Sequence, residues 1–104
     1  MQHARVAVYQ VKPGTTDEIV RRAQTGMLPV FRSQPGFVAY GGVTTDAETV
    51  ISLSFWQTQE QAEAAVQVAA SWIKDNLAGM VLSVQNHVGD LAFFSFTGAL
   101  GSSE

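Results

Sequence analysis

The chain has 104 residues, no cysteine and a net charge of −3 at 14% charged residues, which bounds it to one domain with enough length for a core of its own. Without Cys it has no disulfide, thiolate nucleophile, thiolate zinc site or Cys-ligated haem, and its few, scattered Lys and Arg residues argue against a nucleic-acid surface. The N-terminal apolar run is short and is broken by Arg5 and Gln10, so it reads as neither a signal peptide nor a membrane span, and the expected location is cytoplasmic.

Arg5 to Val11 reads as the first strand, with Val6 and Val8 on one face and Ala7, Tyr9 and Val11 on the other. Lys12-Pro13-Gly14 ends it. Thr15 to Glu18 has the spacing of a capping box and opens a helix over Thr16 to Arg32. Ile19, Ala23, Met27 and Val30 or Phe31 form its apolar stripe. Pro29 removes a backbone donor late in this helix, with Gly26 close by, so a bend or break is expected between Thr25 and Pro29. Ser33-Gln34-Pro35-Gly36 then stops the helix.

Phe37 to Thr44 and Thr49 to Trp56 are dominated by residues that suit a pleated, half-buried surface. The polar connection Thr45-Asp46-Ala47-Glu48 makes them an antiparallel hairpin. Gly41-Gly42 within the first run is expected to mark a bulge. Thr58 to Gln61 is a second capping box. It opens an Ala-rich helix over Gln59 to Ala70, whose inner face carries Ala62, Ala65, Val66 and Ala69. Ser71 is expected to cap a further short helix, Trp72 to Leu77, with Gly79 ending it. Met80 to Val88 is the fourth strand, Gly89-Asp90 interrupts it, and Leu91 to Phe96 continues in strand-like residues. The core thus spans about residues 5–96, and residues 97–104 read as a frayed tail.

The order β-α-β-β-α-β is the α+β, ferredoxin-like arrangement. Right-handed crossovers put both helices on one face of a four-stranded antiparallel sheet. Val6, Val8, Ile51, Leu53, Phe55, Leu82 and Val84 make the other face apolar as well, so a homodimer through that sheet face is expected.

With this order of elements, Pro35-Gly36-Phe37 opening the second strand and SFWQTQEQAEAA from Ser54 to Ala65, the chain resembles antibiotic biosynthesis monooxygenase domains over roughly Val6 to Phe96. The resemblance implies a dimeric α+β barrel. Some members oxidise polycyclic aromatic substrates with O2 and need no metal or flavin, others bind and degrade haem, and many have no known activity. In the cofactor-free branch an Asn four positions before the strand-end Trp helps catalysis. Trp56 matches that Trp, and Ser52 stands at the Asn position. The haem-degrading branch uses an Asn on the first strand and a His in the second helical region. The first strand here lacks the Asn, and Gln59 to Leu77 lacks the His.

On that resemblance Trp56 is an aromatic wall for a flat substrate, or else a large core residue. Trp72 closes the end of the pocket, or packs. His87 is a general base or a haem ligand, or an ordinary solvent-facing residue. Tyr9 and Tyr40 donate hydrogen bonds to an oxygenated ring, or sit at the dimer contact. His3 is terminal, and no His or carboxylate cluster has metal-ligand spacing. The implied enzyme is a cofactor-independent monooxygenase acting on a small aromatic or quinol-like compound held between sheet and helices. Trp56 would stack on it, and Tyr9 or His87 would orient or deprotonate it. A non-catalytic dimeric module that binds a ligand or simply assembles is the alternative, and haem binding a third. Neither a nucleic acid nor a membrane is an expected partner.

Overall fold

The computed structural model describes residues 2–98, so from residue 99 on the expected frayed tail lies outside the described residues. Four strands, β1 (His3–Val11), β2 (Phe37–Asp46), β3 (Thr49–Trp56) and β4 (Val81–Asp90), form one sheet in the order β2-β3-β1-β4. All neighbours are antiparallel. The helical segments α1 (Thr16–Arg22), α2 (Leu28–Arg32) and α3 (Gln59–Asn76) connect them. This is the α+β, ferredoxin-like β-α-β-β-α-β fold, and its helices lie on one face.

The first helical stretch carries its irregularity one turn earlier than Pro29. Between α1 and α2 the residues Ala23–Met27 are π-helical, and the Leu28 N–H reaches back to the Ala23 carbonyl. A wider turn here relieves the clash between the Pro29 ring and the carbonyl four residues before it, and accommodates the missing donor. Gly26 serves a packing role at the same point. A Cβ at that position would stand 2.7 Å from Trp72 Cζ2, so only glycine lets the indole of α3 lie against this segment.

The two capping boxes have different outcomes. Thr58 accepts from the Gln61 N–H at 3.1 Å while the Gln61 amide oxygen accepts from the Thr58 N–H at 3.1 Å. Thr58→Ala is expected to cost about 1 kcal/mol of stability, read as a lower urea midpoint at unchanged m-value. Thr15 forms no such cap. Its backbone is already helical, and its hydroxyl donates to the Lys12 carbonyl at 2.6 Å to close the preceding turn. Glu18, the other half of the expected box, is held by Arg21 and Arg22 at 2.6 Å each.

Other boundaries differ from the sequence reading in ways the local chemistry explains. α3 runs unbroken through Ser71, because a lone Ser among Ala residues costs a helix interior little. β4 continues through Gly89 and Asp90, and its irregularity falls instead opposite Gln10 and Val11, where Leu82 is the extra residue. Gly41 and Gly42 pair regularly with Leu53 and Ser52. The bulges of β2 lie at its ends, between Phe37 and Ala39 and between Thr44 and Asp46. Beyond β4 the chain leaves the ladder. Its Leu91 N–H bonds the Gln2 carbonyl at 2.9 Å, and the Phe94 ring stands edge-on to Phe55 at 5.1 Å.

The two sheet faces are now distinct. Arg5, Ala7, Tyr9 and Val11 of β1, with Val50, Ser52, Ser54 and Trp56 of β3, are buried under the helices. Val6, Val8, Ile51, Leu53 and Phe55 point the other way and are half-buried. Val84 does not belong with them: it pairs with Tyr9 and so shares the helix side, where the edge position leaves it 46% exposed. Leu82 sits at the bulge, 61% exposed. On β4 the open face is polar, with Ser83, Gln85 and His87 opposite Gln10, Val8 and Val6.

Candidate functional site

Strand alternation sends Arg5, Ala7 and Tyr9 to the helix side of the central strand. Arg5 is only 1% exposed. Its Nη2 donates to the Tyr9 hydroxyl at 2.7 Å, and its Nε donates to the Asn86 side-chain oxygen of β4 at 3.0 Å. Its Nη1 is buried and has no hydrogen-bond partner among the described residues. No described carboxylate pairs with this guanidinium; Asp90 lies 3.1 Å from the His3 Nδ1, and Glu18 is held by Arg21 and Arg22. An ion taken out of water with no counter-charge costs several kcal/mol even after the protein relaxes, so the sheet carries a strong local demand for negative charge at this point.

Ser52 extends the group onto β3. It pairs across to Ala7 and Gly42, which makes it a diagonal neighbour of both Arg5 and Tyr9 on the same face. Its hydroxyl oxygen is buried and meets no partner at hydrogen-bond geometry. Tyr40 of β2 pairs with Ser54, which in turn pairs with Arg5. Burial pushes the Tyr40 phenol up to about 12 and the neighbouring Tyr9 adds to this, while Arg5 and the Ser52 hydroxyl oppose it. At neutral pH Tyr40 is therefore a hydrogen-bond donor and not a base. The Tyr9 oxygen accepts from Arg5, which leaves its own proton free to donate elsewhere.

Trp56 lies beside this group as part of an aromatic layer. Its indole N–H donates to the Ser54 hydroxyl at 2.9 Å, and its ring stands edge-on to Phe31 at 5.4 Å and Phe37 at 5.6 Å. Phe31 is also edge-on to Tyr40 at 4.9 Å. At 1% exposure Trp56 offers no free face for stacking, so its aromatic wall is structural here. Gly36 prepares the same corner. Its φ of +80° and the Gln61 side chain lying over it both exclude a side chain at that turn.

Tyr9, Tyr40 and Ser52, three of the residues expected to form a site, are thus brought together. His87 is not: it is exposed on the opposite face of the sheet, opposite Val6, and cannot reach a compound on the helix side. Trp72 packs against both core clusters from α3 and borders a shallow outer groove of about 470 Å³ with Val30, Gln67 and Asp75. A smaller niche of about 180 Å³ lies outside Trp56, between Gln34-Pro35 and the Glu60, Ala64 and Val68 side of α3. Arg5 and Asn86 were not anticipated. The signal for Arg5 was present, because it shares the parity of Ala7, Tyr9 and Val11 and so had to be a charge on a buried face. Asn86 has no such signal, because it shares the parity of Leu82 and Val84, which the sequence places on the open face.

Residues 3–70 match the family described as antibiotic biosynthesis monooxygenase, well over half of the chain. The chain belongs to that family. Among curated proteins nothing matches the sequence. Solved structures with the same fold include NE2512, a protein of unknown function from Nitrosomonas europaea, at TM-score 0.73 and 16% identity over 92% of this chain and 94% of that one. A NIPSNAP-like domain protein from Burkholderia xenovorans superposes at TM-score 0.65 with 15% identity, covering 92% and 90% of the two chains. SnoaB, a cofactor-independent oxygenase from Streptomyces nogalater, does so at 0.62 with 11% identity, covering 94% and 96%. At these identities the likeness is one of fold. Among the described residues no helix is long and apolar enough to cross a membrane.

Proposed function

We propose that the protein is a cofactor-independent oxygenase of a small phenolic or quinol-like aromatic compound, acting as a homodimer. The observation that carries this reading is the cluster of Arg5, Tyr9, Tyr40 and Ser52 on the helix side of the sheet, a set of buried donors with too few acceptors. An electron-rich phenolate or enolate can give an electron to O2 directly. Recombination of the resulting pair forms a C–O bond, and loss of water completes the change of a CH2 and O2 into a C=O and H2O. The residues stabilise the oxyanion from which the electron leaves: Tyr9 donates its free proton to that oxygen, and Tyr40, kept protonated by burial, is a second donor. The Ser52 hydroxyl occupies the position that carries an Asn in the oxygenase branch, and supplies one donor where an amide would supply two.

Oxygen uptake with an anthrone or naphthalenediol, in the presence of a chelator, tests this. The wild type is expected to exceed the uncatalysed rate, and Tyr9→Phe to lose about 10²-fold of that activity. Uptake no faster than buffer across such a panel would exclude the oxygenase and leave the second reading, a non-catalytic assembly module. The closed packing around Trp56 favours that second reading.

A further inference from the structure

We infer that the buried group at Arg5 is an anion receptor, and that the molecule it takes carries a carboxylate or an equally acidic oxygen on its aromatic ring. This rests on the oxygenase reading for the ring and goes beyond it in assigning the ring's charge. The protonation of the groups present decides the point. Arg5 brings a guanidinium, which presents five N–H donors and no acceptor. Its Nη1 is buried with no partner among the described residues, and the Ser52 hydroxyl is buried beside the Tyr40 phenol. Nη2 and Nε are spent on Tyr9 and Asn86. Tyr9 adds one more free proton. Unmet donors and one unmet positive charge converge on one face, and no described acid answers them.

A neutral phenol fits this set poorly, since it brings a proton of its own and no charge. A carboxylate brings two acceptor oxygens and the missing charge, and a charge-assisted hydrogen bond to such an oxygen is stronger than a neutral one. Arg5 would use Nη1 for this, with Ser52 and Tyr9 on the second oxygen. Selection then follows by desolvation: a compound lacking the charge leaves the guanidinium buried and unpaired, and so is penalised relative to one that has it.

The test compares 3-hydroxy-2-naphthoate with 2-naphthol, which differ by the carboxylate, by titration calorimetry at pH 7 under argon. The wild type is expected to bind the naphthoate about 10- to 100-fold tighter, the range for a hydrogen-bonded charge. Arg5→Gln should abolish that preference. Ser52→Ala, which deletes only a hydroxyl, should reduce naphthoate affinity several-fold and serves as the second variant if Arg5→Gln fails to fold. Equal affinities in the wild type would overturn the inference, as would a preference that survives in a folded Arg5→Gln or, where that variant does not fold, one that Ser52→Ala leaves undiminished. Oxygen uptake is absent from this assay, so its outcome is separable from that of the oxygenase reading. Naphthoate preference without turnover supports the receptor and removes the enzyme. Turnover of neutral naphthalenediols without any preference does the reverse.

Discussion

Trp56→Ala is expected to remove about 3–5 kcal/mol of folding stability. The side chain is 1% exposed and is touched by Phe31 and Phe37, while α3 presents Ala62, Ala65 and Ala69 to the same cluster. Small residues on the facing helix leave nothing long enough to swing into the hole. The space would remain as a cavity, and the Ser54 hydroxyl would lose the group it accepts from. Domains of this size have only about 5–15 kcal/mol in total, so roughly a fifth or more of the native stability is at stake. Urea unfolding followed by far-UV circular dichroism measures it. A midpoint within error of the wild type would show that the aromatic layer is not the keystone of this end of the core.

The second large effect concerns the open face of the sheet. Val6, Val8, Ile51, Leu53 and Phe55 are packed by their own strands but covered by no helix, and Val43, Phe93, Phe94 and Phe96 are 46–89% exposed beside or beyond them. Leaving ~800 Å² of such surface in water forgoes on the order of 20 kcal/mol, an upper bound before the costs of association. A two-fold contact of sheet against sheet is the commonest solution for a self-complementary face. Sedimentation equilibrium at low micromolar protein is expected to give twice the chain mass of 11.2 kDa. Leu53→Lys, at the middle of that face between Val6 and Gly41, should dissociate the pair or leave little folded protein. A well-folded monomer in the wild type, unchanged on dilution, would show that this face is covered in some other way.

Element order and the β2–β3 hairpin were legible from the sequence because hydrophobic period, Pro and Gly all pointed the same way. Trp56 and the second capping box were legible for the same reason. What the sequence hid was side assignment on β4. The extra residue at Leu82 moves every later side chain of that strand to the other face, and a bulge leaves no mark in composition. That single step separates Val84 from the apolar open face and carries His87 to it. The Thr15 motif misled for a different reason, since a hydroxyl has several carbonyls and N–H groups in reach and the tight turn at Lys12 won. Of the site, the two tyrosines and Ser52 came from resemblance to a family. The charge that unites them, Arg5, is readable from parity alone, since it alternates with Val6 and Val8 on the face of Ala7 and Tyr9.

The bulges at the two ends of β2 have a consequence for how the chain behaves in a crowded solution. β2 is an edge strand, and its outer row of N–H and C=O groups would template the addition of another extended chain if it lay flat. The unpaired residues after Phe37 and after Thr44 sharpen the local twist at each end and confine the regular ladder to the stretch between them. Gly41 and Gly42, in the middle of that stretch, offer an incoming strand no side chain to pack against. The β2 border of the sheet thus stays closed to open-ended growth into fibres, whatever covers the apolar face.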